Sequence, residues 1–151
     1  MKGRKSKPTG LKVIEGNPGK RPLNENEPKP KLGIPEMPEW IKPFDEAVKN
    51  WEHESVLLDE MGIMTKADAG ILAARSFLFS QIVDLTKDLK EEGTVLKRDD
   101  NSEPKHNPKQ KQLESVLREY RTLGSLLGLD PSSRSRLSIN KSEGGSDWDG
   151  I

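Results

Sequence analysis

The chain has 151 residues, a formal net charge of zero, 33% charged and 31% hydrophobic residues, and no cysteine. That composition leaves room for one small domain with polar tails and excludes a disulfide framework or a thiolate metal site. No apolar run is long enough to span a membrane, and no secretory apolar segment follows the basic start.

The zero hides an asymmetry. From Met1 to Lys31 nine basic residues stand against three acidic ones, a net of +6; from Glu39 to Gly62 two stand against seven, a net of −5. A basic arm beside an acidic helix points to a polyanion partner for the arm. The alternatives are an arm folded back on that helix, or charge that serves solubility alone.

In chain order, residues 1–38 read as a flexible basic arm, because Pro8, Pro18, Pro22, Pro28, Pro30, Pro35 and Pro38 interrupt any regular element. Its cations Lys2, Arg4, Lys5, Lys7, Lys12, Lys20 and Arg21 are candidate DNA contacts, acting on phosphates without reading sequence. The arm lacks aromatic residues, which argues against a stacking platform for single strands. Residues 39–128 read as a helical oligomerisation core. Its first helix runs from about Pro43 to Met61, with Phe44, Val48, Trp51 and Leu58 on one face. Trp51 is the expected core anchor, and Trp40 either seals the helical pair or sits at a subunit contact.

The second helix is the longest, Thr65 to Glu92, about 40 Å at the usual rise. Thr65 and Asp68 form a capping-box pattern, and Gly93 closes the element. Its stripe of Ile71, Ala74, Leu78, Ile82, Leu85 and Leu89, widened by Phe79, exceeds what two further helices cover. Ile71, Leu78, Phe79, Ile82, Leu85 and Leu89 are therefore the candidate oligomer interface. Arg75 is the odd polar residue beside that stripe, placed in an ion pair or along a ring channel.

A β-hairpin is expected at about residues 94–106, too small to be stable alone. Asn107-Pro108 then caps a third helix with Leu113, Val116, Leu117, Tyr120, Leu123 and Leu127 on its apolar face. Residues 129–151 read as a short helical turn followed by a disordered polar tail. Arg134 and Arg136 are further candidate DNA contacts, and Trp148, flanked by two aspartates, is a candidate docking residue for a protein partner.

Catalytic patterns are missing. His53 and His106 are the only histidines, without HExxH spacing, and Asp99, Asp100, Glu103 and His106 fall where a turn is expected. No catalytic residue, metal site or cofactor is assigned. The fold class is mainly α: a helical hairpin with one long helix, a small β-hairpin and a third helix.

The stretch GRKSKPTGLKVIEGNPGKRPLNENEPKP (Gly3 to Pro30), the sequel Pro35 to Trp40, LLDEMGIMTKAD (Leu57 to Asp68) and the run Asp130 to Leu137 resemble the P27-type small terminase subunits of tailed phages. The resemblance runs in register from about Gly3 to Leu137. It implies a non-enzymatic member of the genome-packaging motor, in the host cell cytoplasm. Such a subunit assembles as a ring-type homo-oligomer and binds the packaging start on concatemeric double-stranded phage DNA. It delivers that DNA to the terminase large subunit, which carries the ATPase and nuclease, and regulates it. The residues alone leave two alternatives: a helical DNA-binding regulator with a basic arm, or a protein–protein adaptor without direct DNA contact.

Overall fold

The computed structural model describes residues 30–96 and 103–134. A 3-10 turn, Glu39–Ile41, leads into helix α1 (Asp45–Glu60), and a second 3-10 turn, Lys66–Asp68, leads into α2 (Ala69–Glu92). Strands β1 (Val95–Leu96) and β2 (Lys105–His106) follow, then α3 (Pro108–Leu126) and the short α4 (Pro131–Arg134). The protein is mainly helical, as expected.

Local chemistry accounts for the element ends. The Thr65 N–H and hydroxyl both donate to Asp68 Oδ2, at 3.0 and 2.6 Å. The Asp68 N–H closes onto the Thr65 carbonyl at 3.1 Å, a three-residue spacing that makes this first turn 3-10 rather than α. Regular α-helix therefore begins at Ala69, four residues later than the sequence reading. Gly93, at φ +82°, sends its N–H to the Leu89 carbonyl and ends α2. Asn107 caps α3 by accepting the Lys109 N–H on its Oδ1 at 3.0 Å, with Pro108 in the first position. Asp130 does the same for α4, its carboxylate taking the Ser133 N–H at 2.8 Å. Bonds from Ser132, Ser133 and Ser125 hold that carboxyl well below the usual carboxylate range.

Both α1 and α3 pack along α2. Asn50 and Glu54 of α1 meet Ser76 and Arg75 of α2, while Lys109 and Tyr120 of α3 meet Asp88 and Arg75. Residue numbers rise on one helix as they fall on the other, so α2 runs antiparallel to both. The core is Ile41, Ala47, Trp51, Leu58, Met64, Leu72, Ala73 and Leu127. It sits at one end of the bundle, where α1, the start of α2 and the end of α3 meet. Trp51 is its anchor, 3% exposed. Away from that end, Leu85 and Val116 are the buried apolar residues of the α2–α3 pair among the described residues.

Two features depart from the apolar patterning. Phe44 precedes α1 and lies open with Trp40, both ring edges meeting Phe77 at 4.9 and 5.8 Å between centroids. On α2 the buried residues are Leu72, Ala73, Arg75, Ser76, Ser80 and Leu85, which share only Leu85 with the expected stripe; Arg75 and Ser76 are buried with partners on α1 and α3, and Ser80 bonds the Phe77 carbonyl of its own helix.

The end of the proline-rich segment lies against the body. Leu32 bridges Thr65, the Gly33 N–H donates to the Met64 carbonyl at 3.0 Å, and the Lys66 N–H donates to the Lys31 carbonyl at 3.0 Å. This extended strap needs only backbone groups, so its prolines do not prevent it. The β-hairpin pairs Val95 with His106 and Leu96 with Lys105, all four exposed.

Candidate functional site

A buried polar clamp ties the three long helices together. Arg75 of α2 places its Nε between the two carboxylate oxygens of Glu54 on α1, donating at 3.0 and 2.7 Å. Its Nη1 donates to the backbone carbonyl of Tyr120 on α3. The guanidinium carbon lies 3.6 Å from the centroid of the Tyr120 ring, a cation–π contact. The Tyr120 hydroxyl donates to Glu54 Oε1 at 3.0 Å and stands 3.5 Å from Asn50 Oδ1, and the Asn50 amide donates to Ser76 Oγ at 3.3 Å. Glu54 and Arg75 are 5% and 7% exposed, so their charges are compensated almost wholly by each other and by these bonds.

Burial, followed by the negative charge of Glu54, pushes the Tyr120 phenol up to about 12, against the pull of Arg75. The clamp thus holds a neutral phenol between a fixed ion pair. Among the described residues no buried side-chain polar atom lacks a partner, and no group of three His, Asp or Glu is placed to hold a metal ion. The cluster is built to hold helices together.

A second polar junction sits at the far end of the α2–α3 pair. Asn107, 1% exposed, donates through its amide to Glu92 Oε2 at 3.1 Å and the Gly93 carbonyl at 3.0 Å. Lys109 pairs with Asp88 at 2.7 Å and Glu92 at 2.5 Å. Those bonds hold the Glu92 carboxyl below, and the Lys109 ammonium above, their ordinary ranges.

Of the candidate DNA contacts, Arg134 is described: it is exposed at the end of α4 and its Nη1 donates to the Leu129 carbonyl at 2.9 Å. Lys2, Arg4, Lys5, Lys7, Lys12, Lys20, Arg21 and Arg136, and the docking candidate Trp148, lie outside the described residues. Of the candidate interface on α2, Ile71, Leu78, Phe79, Ile82 and Leu89 are half-buried, and Leu85 is buried within its own chain. Phe79 tilts against Tyr120 at 6.1 Å.

The sequence reading marked Arg75 but not its partners. From sequence, Glu54 reads as one more acid on an acidic helix, and Tyr120 as one more apolar-face residue. Gly124 carried a signal, since a glycine inside a helical pattern calls for a packing reason; it leaves room for the Arg75 guanidinium.

No helix among the described residues is long and apolar enough to cross a membrane. Comparison with curated proteins and with solved structures finds no match in either. Comparison with family models matches residues 47–144 to the family described as phage terminase, small subunit. That span takes in α1 from Ala47 onward, all of α2 and α3, the clamp and the β-hairpin, and it exceeds half of the chain; the protein belongs to the phage terminase small subunit family.

Proposed function

We propose that this chain is a P27-type small terminase subunit that forms a ring and binds the packaging start site on concatemeric phage DNA through its basic arm. It then delivers the DNA to the large ATPase/nuclease subunit and regulates it, in the cytoplasm of the infected host. The observation that carries the reading is the family match across the helical body, which supports a role in phage DNA packaging and a non-catalytic subunit.

The charge distribution supports the DNA-binding part. The whole +6 of residues 1–31 precedes the first long helix in the sequence. Arg134 and Arg136 add cations at the other end of the chain. Several weak phosphate contacts carried by several subunits add through effective concentration. The partly open apolar side chains Ile71, Leu78, Phe79, Ile82 and Leu89 supply part of the contact between copies. Trp148 is the proposed contact to the large subunit.

The test compares the full chain with one lacking residues 1–29, a cut that keeps the strap at Lys31 to Gly33. Mass is read by light scattering and binding to duplex phage DNA at several salt concentrations. The expected result is a closed oligomer in both. The truncated chain should bind at least tenfold more weakly, with a flatter salt dependence. Unchanged binding would remove the arm from the DNA contact. A single-chain mass at micromolar concentration would remove the ring.

A further inference from the structure

The outward faces of α1 and α3 carry opposite charge. On α1, Glu52, Val56, Asp59 and Glu60 are exposed along one helical face together with Lys49, which pairs back to Glu46 of its own helix, and the two acids of the last turn stand at the negative end of the helix dipole with no basic residue in that turn. On α3, Lys111, Arg118 and Arg121 are exposed on the side turned away from Val116 and Gly124, with Glu114 and Glu119 the two acids among them, so that this face is net basic by one charge. The side chains of Glu52, Asp59, Lys111 and Arg118 enter no ion pair with the described residues. Exposed apolar residues lie beside both sets, Val56 at 48% and Leu117 at 37%. Meanwhile the apolar stripe of α2 is already half-covered by its own chain, so a contact between copies needs a further contribution.

We infer that the acidic outward face of α1 is the docking surface for the basic outward face of α3 on a second copy of this chain. The contact joins two different surfaces, so it is heterologous and repeats from copy to copy around a closed ring. Opposite net charge favours α1 against α3 over α1 against α1, where like charges would be brought together. Duplex DNA is the competing occupant of the α3 face, but DNA gives no role to the matching acidic face on α1. This inference rests on the ring reading and specifies its interface.

Light scattering on charge-reversed full-length chains tests it. One variant carries Glu52→Lys with Asp59→Lys, another carries Lys111→Glu with Arg118→Glu, and a third carries all four changes. All four positions are exposed, and helix content by circular dichroism checks that each variant folds. The expected result is an oligomer for the native chain and single-chain mass for each two-site variant. The four-site variant, and an equimolar mixture of the two two-site variants, should recover the oligomer because complementary faces are present again. An oligomeric native chain whose mass none of the reversals changes overturns this interface and leaves the ring standing. A native chain of single-chain mass overturns the ring reading itself. A Lys111/Arg118 reversal that weakens DNA binding at unchanged mass assigns the α3 face to DNA and overturns the inference.

Discussion

The guanidinium of Arg75 stands where a side chain on residue 124 would have to go: a β-carbon built on Gly124 would lie 2.6 Å from Arg75 Nη1. Alanine is favoured over glycine inside a helix by about 1 kcal/mol, so on an open face Gly124→Ala would stabilise α3. Here the new methyl displaces Nη1 from the Tyr120 carbonyl, a hydrogen bond from a charged donor of about 1.5–3 kcal/mol. The expected outcome is a net loss of about 1 kcal/mol, read as a lower urea midpoint at unchanged slope. A raised midpoint would show that Arg75 relaxes freely and that the clamp does not hold α3.

Removing one partner of the Glu54–Arg75 pair leaves the other charge buried without compensation. Glu54→Ala and Arg75→Ala should each cost about 3–5 kcal/mol, enough to unfold a marginal domain. The apolar pair Glu54→Leu with Arg75→Met removes both charges at similar volume. Its stability should exceed that of Glu54→Leu or Arg75→Met alone, and the cycle of these three variants should give a coupling of at least about 1 kcal/mol. Simple additivity of the two losses would mean that the two groups do not act as a pair.

Tyr120 predicts an alkaline limit. The phenol ionises near 10 in an open chain and near about 12 in the fold, so the folded state holds its proton more tightly. Stability from this group is full below pH 10 and is lost as pH rises through about 12. Unfolding midpoints measured from pH 9 upward should fall in the native protein and fall less steeply in Tyr120→Phe. Parallel curves would remove Tyr120 as the source.

Asn107 is a cap and a donor at once, and two substitutions separate the roles. Asparagine and aspartate are about equal as caps. Asn107→Asp keeps the acceptor for the Lys109 N–H but loses the amide that donates to Glu92 and Gly93, and it sets a carboxylate against Glu92. Asn107→Asp should therefore lower the melting temperature despite being a good cap. If it melts with the native protein, the link to α2 contributes nothing beyond the cap.

What could be read from the residues was mostly local. Thr65 with Asp68, Asn107 with Pro108, and the glycine at 93 mark element ends by chemistry confined to three or four residues, and the structure has them there. The face that α2 buries was not readable from periodicity. Arg75, Ser76 and Ser80 count as polar in any pattern, yet they are buried because Glu54, Asn50 and Tyr120, distant in sequence, complete the bonds of the first two and Ser80 bonds the Phe77 carbonyl. The strap was hidden for a related reason: its prolines argue against a helix but leave backbone pairing to Thr65 untouched.

That strap has a mechanical consequence. Lys31 to Gly33 pair with Met64 to Lys66 at the corner where α1 gives way to α2. Tension applied to the chain ahead of Lys31 would load those two backbone bonds first, and Ile41 and Trp51 only after they part. Held by two backbone bonds while the helices are held by a buried core and an ion pair, the strap is placed to yield as a fuse that leaves the three helices in register.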